Sequence, residues 1–298
     1  MYEEEDYLDL MRSLNDMQQR LVTEVWYRIK AEDEQFFIFL SGGAGVGKSH
    51  VIKAIVQSIL RIRRALPTEH PDEIYVLVVA PTGKAAFNVR GMTIHSAFHI
   101  FLNQNGNLMD LNPSTANTLR LKLLNVQLII IDEISMVSNQ MLFWVNQRLQ
   151  QLFNTTQDFG GKSLLVVGDF RQLPPVGGSY VFVPPTFHAL GNLAGAYLWE
   201  SFQFFQLHEI MRQRGEFEFC KALNNMAVGG MDENDIALMR SCEVSATHKP
   251  PDDTIRLFYT NKECQDFNEQ VHSLLNTDFV ISTAVDFTKG NQPYFRLN

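Results

Sequence analysis

The chain has 298 residues, 45% of them hydrophobic and 19% charged, with a formal net charge of −8. That length carries a sizeable core and about two domains, and the acidic balance argues against a protein that coats nucleic acid through bulk electrostatics, leaving room for a local basic groove. The three cysteines, Cys220, Cys242 and Cys264, stand far apart with no C-x-x-C, which argues against a disulfide framework and a zinc cluster and suits a reducing compartment.

The first ten residues, MYEEEDYLDL, are acidic and show neither a secretory signal nor a mitochondrial presequence, and no apolar run reaches membrane-spanning length. The spacing of Leu21, Val22, Val25 and Trp26 predicts one amphipathic helix over Tyr7 to Lys30. Gln18 within it is a candidate adenine reader, because a side-chain amide matches the two-sided hydrogen-bonding edge of that base. A strand-like run, Phe36 to Leu40, then leads into SGGAGVGKSH, residues 41 to 50, and a helical run over Val51 to Arg61 follows. Gly42, Gly47, Lys48 and Ser49 fit G-x-x-x-x-G-K-[ST], a loop whose backbone N–H groups wrap phosphates at a helix N-terminus. The expected nucleotide contacts are Gly42, Gly43, Ala44, Gly45, Val46, Gly47, Lys48, Ser49 and His50, with Lys48 on the terminal phosphates and the Ser49 hydroxyl on Mg²⁺.

Ile74 to Ala80 reads as a buried parallel strand, and PTGKAAFNVRGMTIHSAFHI follows it. Ligand contacts in open α/β sheets gather at the carboxyl ends of strands, which marks Thr82, Gly83, Lys84, Thr93, His95 and Ser96. His95 and His99 are four apart, yet Ser96 stands where a zinc protease needs Glu. Residues 99–126, rich in Asn and weakly periodic, read as a small insertion. Leu128 to Ile131 ends in Asp132 and Glu133, an acidic pair suited to holding Mg²⁺ and to orienting or deprotonating an attacking water. After a helix over Ser138 to Phe153, the strand Ser163 to Val167 ends in GDFRQLPPV, where Asp169 and Gln172 are held by Pro174 and Pro175 and Gln172 is placed to sense a γ-phosphate. A strand over Phe202 to Leu207, helices over Glu216 to Val228 and Glu233 to Arg240, and a strand over Ile255 to Tyr259 complete the predicted elements.

Taken in order, LNDMQ, GGAGVGKS, APTGKAA with TIHSAF, IIDEISMV, GDFRQLPPV, LHEIMRQ and LFYTNKECQDFNE resemble superfamily one DNA helicases of the petite-integration-frequency (PIF) type, closest in wording to those of rolling-circle transposons. The resemblance covers about Leu14 to Gln270. It implies an α/β fold with a RecA-like P-loop ATPase core and a mostly parallel sheet, a small inserted subdomain and an incomplete second RecA-like domain. The implied division is 1–98 plus 127–209 for the first domain, 99–126 for the strand-separating insertion, and 210–298 for the partial second domain. It implies an ATP-dependent, 5′-to-3′ helicase acting in replication, repair, recombination or telomere maintenance, with ATP and Mg²⁺ as cofactors. Carried over by position, Gln18 reads adenine, Lys48 holds the β- and γ-phosphates, Ser49 and Asp132 hold Mg²⁺, Glu133 activates water, Gln172 senses the γ-phosphate, and Arg212 acts as an arginine finger. Pro81, Thr82, Gly83, Lys84, Thr93, His95, Ser96 and Phe98 match the positions that hold single-stranded DNA.

The implied partners are single-stranded DNA and tailed or forked duplexes, with no membrane, for a monomer in an intracellular compartment, the nucleus before the mitochondrion. No equivalent of the family's last two motifs is found, and the residues after 209 are fewer than the roughly 100–150 of a usual domain. A fragment, a truncated copy or a mispredicted gene product is therefore expected. Two alternatives follow: a DNA-stimulated ATPase that does not unwind, and a catalytically dead, transposon-derived binding module.

Overall fold

The computed structural model describes residues 2–31, 34–64, 73–101, 108–184, 198–209, 211, 217–245, 248, 251 and 254–274. The chain divides into two compact units, Met1–Cys242 and Glu243–Asn298.

The first unit opens with two helices, α1 (Glu4–Arg12) and α2 (Asp16–Ala31), where the apolar spacing predicts one. The break is a reciprocal cap. Gln18 N–H donates to Asn15 Oδ1 at 2.9 Å and Asn15 N–H donates to Gln18 Oε1 at 3.1 Å, which satisfies two donors at the start of α2 and ends α1 before it.

Six strands form one sheet: β1 (Phe37–Gly42), β2 (Val76–Ala80), β3 (Met92–Thr93), β4 (Leu128–Ile131), β5 (Ser163–Gly168) and β6 (Gln203–Leu207), in the order β3-β2-β4-β5-β1-β6. Every pairing is parallel, with Phe37 opposite Leu164 and Ile38 opposite Gln203 on the two flanks of β1. Parallel strands need crossovers, and the crossovers cover both faces. The helices of the first half are α3 (Lys48–Arg64), α4 (Gly83–Asn88) and α5 (Ile94–Phe98), followed by α6 (Pro113–Leu123) and α7 (Asn139–Phe153). Leu128 and Ile130 of β4 join Leu165 and Val167 of β5 in a core with Leu21, Val25, Ile55 and Ile59 from α2 and α3. Their alternates, Ile129, Ile131, Leu164 and Val166, face a second core with Phe98, Leu119, Val145 and Leu149 from α5, α6 and α7. Because both faces are buried, these strands read as continuous apolar runs.

The described residues of 99–126 carry more regular structure than the composition suggests. Asn112 Oδ1 accepts from Thr115 N–H, Pro113 sits in the first turn of α6, and Leu119 and Leu123 pack into the second core. Arg148 of α7, fully buried, donates from Nη2 to His99 O at 3.2 Å and to Met109 O at 2.7 Å, and Met109 N–H donates to Phe101 O at 2.9 Å. One guanidinium thus ties down both sides of the segment between His99 and Met109, and His99 takes a left-handed φ of 48° there.

After β6 come α8 (Phe217–Ala227) and α9 (Glu233–Ser241), the latter opened by a capping box between Asp232 and Asp235. In the second unit α10 (Asn261–Leu274) is capped by Thr260, whose Oγ1 accepts from Glu263 N–H at 3.2 Å. The strand expected over Ile255 to Tyr259 does not form: these residues are irregular, with Ile255, Leu257 and Tyr259 exposed. β-Propensity expresses packing against neighbouring strands, and among the described residues none pairs with this run.

Candidate active site

The carboxyl ends of β1, β4 and β5 open on one edge of the sheet, and their following loops enclose a cavity of about 610 Å³. Its lining comprises Ala44, Gly45, Gly47, Lys48, Ser49 and His50 from the first loop and the start of α3, Asp132 and Glu133 from the second loop, Gln172 from the third, and Ser13, Gln18 and Met211 from elsewhere in the chain. The loop after β1 turns through Gly45 and Gly47, at φ 80° and 82°, before Lys48 starts α3. A Cβ on Gly42 would stand 2.6 Å from Val46 Cγ2, so only glycine fits between strand and loop. Lys48 Nζ is folded back, donating to Gly42 O at 2.8 Å and Gly43 O at 3.0 Å. Burial lowers the Lys48 pKa, and the carboxylates of Asp169, Glu133 and Asp132 oppose that shift.

Asp132 caps the end of β4. Its N–H donates to Val79 O, and its Oδ1 accepts from Glu133 N–H at 3.0 Å. Burial, which leaves it 7% exposed, pushes its carboxyl up to about 6. Glu133 has a left-handed backbone, φ 53°, a conformation that non-glycine residues hold only where their surroundings force it. A buried carboxylate lacking full compensation, on the same cavity as Ser49, suits a hard divalent cation with oxygen ligands, the remaining ligands coming from phosphate and water. Among the described residues there is no group of three or more His, Cys, Asp or Glu that could form an all-protein metal site.

Gln18 also lines this cavity. It is fully buried, and its Nε2 donates to Val46 O at 3.0 Å while its Oε1 takes Asn15 N–H. In this arrangement the amide joins α2 to the loop and is closed to a base. His50 Nε2 lies 2.7 Å from Ser13 Oγ. Asp169 accepts from Gln172 N–H through its carbonyl at 2.9 Å, which turns Gln172 toward the cavity. Arg212 lies outside the described residues.

A second cavity, about 430 Å³, opens at the ends of β2 and β3. Pro81, Thr82 and His95 line it together with Met136, Gln140, Met141, Trp144, Pro175 and Val176; of these six, the sequence marks Met141 only as a core residue of its helix and Pro175 only as a brace for Asp169 and Gln172. Thr82 Oγ1 caps α4 through Ala85 N–H and Thr93 Oγ1 caps α5 through Ser96 N–H, while Gly83, Lys84, His95 and Ser96 are exposed in those first turns. Phe98 corrects the expectation of a strand contact: its side chain is fully buried in the core and offers no surface. Phe87, 78% exposed on α4, is the surface aromatic that the expectation overlooked.

Residues 13–235 match the family model described as PIF1-like helicase. The chain belongs to that family. The ATP-dependent DNA helicase PIF1 of Candida albicans is 30% identical over 89% of this chain, and the ATP-dependent DNA helicase Pif1 of a Psychrobacter species is 32% identical over 83%. This chain spans 29% and 36% of those two proteins. Among solved structures, the Pif1 helicase from Candida albicans superposes with a TM-score of 0.65 at 26% identity, covering 89% of this chain and 55% of that one. A Pif1 helicase from Bacteroides in complex with ADP-AlF3 and single-stranded DNA reaches 0.64 at 23% identity over 89% of this chain and 58% of its own, a likeness of fold. The α/β sheet described above is therefore the RecA-like P-loop core of PIF1-like helicases.

Proposed function

We propose that this chain is the ATP-hydrolysing part of a PIF-type, 5′-to-3′ DNA helicase that couples Mg–ATP turnover to movement along single-stranded DNA. The observation that carries the reading is the convergence of Lys48, Ser49, Asp132, Glu133 and Gln172 on one cavity from three separate loops. In this reading Lys48 leaves the Gly42 and Gly43 carbonyls for the β- and γ-phosphates, and Ser49 and Asp132 hold Mg²⁺, which neutralises developing charge when bound. Glu133 takes a proton from the attacking water, and Gln172 registers the γ-phosphate. Gln18 reads the base after its amide leaves Val46 O. Arg212 supplies an additional positive charge during transfer.

The cleft lined by Pro81, Thr82 and His95, with Gly83, Lys84, Thr93 and Ser96 beside it, takes the single strand mainly through phosphate and sugar contacts. The division at 99, 127 and 210 into two RecA-like parts and an insertion belongs to the same proposal, as do forked or tailed duplex substrates, nuclear or mitochondrial DNA as the setting, and a monomeric motor. The names of related proteins support the assignment: they are ATP-dependent DNA helicases, and one solved Pif1 structure concerns unwinding at forked duplex DNA.

Steady-state ATP hydrolysis with and without single-stranded DNA tests the reading. The strand should raise the rate, and Lys48→Ala or Glu133→Gln should each lower kcat by about a hundredfold or more. Hydrolysis without unwinding of a 5′-tailed duplex would restrict the activity to that of a DNA-stimulated ATPase. Absence of DNA-dependent hydrolysis would defeat the proposal.

A further inference from the structure

Arg171 has no part in the roles above, yet it lies against the phosphate loop. Its Nε donates to Asp169 Oδ1 at 3.0 Å, its Nη2 to Asp169 Oδ2 at 3.2 Å, and its backbone N–H to Asp169 Oδ1 at 3.1 Å. The same guanidinium reaches Gly43: a Cβ built there would stand 2.9 Å from Arg171 Nη2, and 3.0 Å from Asn224 Oδ1 of α8. Gly43 O is one of the two carbonyls that hold Lys48 Nζ. A second cation therefore rests on the loop beside the expected phosphate-binding lysine, next in sequence to Gln172, which lines the cavity.

Asp169 is buried, whereas the Arg171 side chain is 37% exposed, so the anion is fixed and the guanidinium has room to re-aim. The planar fork that meets two carboxylate oxygens meets two phosphate oxygens equally well. Burial pushes the Asp169 carboxyl up, but its hydrogen bonds to Arg171 and the charges of Arg171 and Lys48 outweigh that and hold it below its usual range; Lys48 remains as a cationic neighbour if the fork leaves.

We propose that Arg171 is a terminal-phosphate sensor: its guanidinium exchanges Asp169 for the γ-phosphate of a bound nucleoside triphosphate, and the chain thereby separates triphosphate from diphosphate. This rests on the nucleotide-site reading above and adds to it a residue that discriminates between the two nucleotides. The test measures, by titration calorimetry on the full chain with Mg²⁺, the Kd of ADP and of a non-hydrolysable ATP analogue. Arg171→Ala should weaken the analogue by about tenfold or more while ADP shifts by less than about twofold, since only the triphosphate loses a charged hydrogen bond. Arg171→Lys should restore part of the difference, a point charge without the fork. Asp169→Asn, which loosens the resting partner, should move the ratio toward the triphosphate.

Equal losses for both nucleotides in Arg171→Ala, or no loss for either, would overturn the inference while leaving the nucleotide site standing. Wild-type protein that binds neither nucleotide would remove the site and the sensor together. Thermal melts check folding, and if Arg171→Ala melts early, Arg171→Gln gives the same ratio with the charge removed and the length kept.

Discussion

At Asp132 the requirements of folding and of chemistry oppose each other. The carboxyl is buried at the end of β4 and titrates near 6 instead of its ordinary 3.8, so the folded chain favours the protonated form. The sign follows: a folded pKa raised above the unfolded one gives stability that is complete below about 3.8 and lost as pH rises through about 6. Asp132→Asn, which keeps the acceptor for Glu133 N–H, should therefore stabilise the nucleotide-free protein at neutral pH by about 2–3 kcal/mol and abolish hydrolysis. The gain should shrink to nothing as pH falls toward 4, read by urea unfolding across pH. A gain independent of pH would show that desolvation of the charge is not its source. Gln18, on the same cavity, is likewise held by an internal partner, its amide donating to Val46 O.

Between elements, Arg148 is the fastening that joins α7 to the backbone at His99 and Met109. Removing it leaves His99 O and Met109 O without their donor, and Arg148→Ala should lower stability by about 2–4 kcal/mol, measured as the fall in urea midpoint. A change below about 0.5 kcal/mol would mean that water replaces the guanidinium.

Arg148 also marks where the sequence stopped being legible. β4 and β5 could be read directly because burial on both faces makes an uninterrupted apolar run, and Lys48, Asp132, Glu133 and Gln172 could be located because each follows such a run. A buried arginine inside a helix carries no such mark. Phe98 was misassigned because its place in a motif says nothing about which way a short helix turns. The start of α2 was visible in principle, since Asn15-x-x-Gln18 has the spacing of a capping box, but the continuous apolar pattern on either side concealed it. The expected strand at 255–259 had the right residues and lacked a neighbour, which only tertiary structure supplies.

On the scale of the whole molecule, the described residues that line the candidate nucleotide cavity, from Ser13 to Met211, belong to the first unit. A chain ending at Cys242 should accordingly unfold in one transition and bind Mg–ADP with the Kd of the full chain. Loss of binding on removal of 243–298 would show that the second unit contributes to the site.

The pairing of β1 has a consequence for the order of synthesis. Phe37 finds its partner at Leu164 and Ile38 finds its partner at Gln203, so the phosphate loop leaves the ribosome long before either strand that flanks it. Long-range parallel pairing is slow and exposes apolar edges until it is complete. A nascent chain stalled before residue 163 would carry the whole SGGAGVGKSH motif without either flanking strand. Nucleotide binding should appear abruptly, after β5 and β6 have been made, with chaperones engaging the growing chain during the interval.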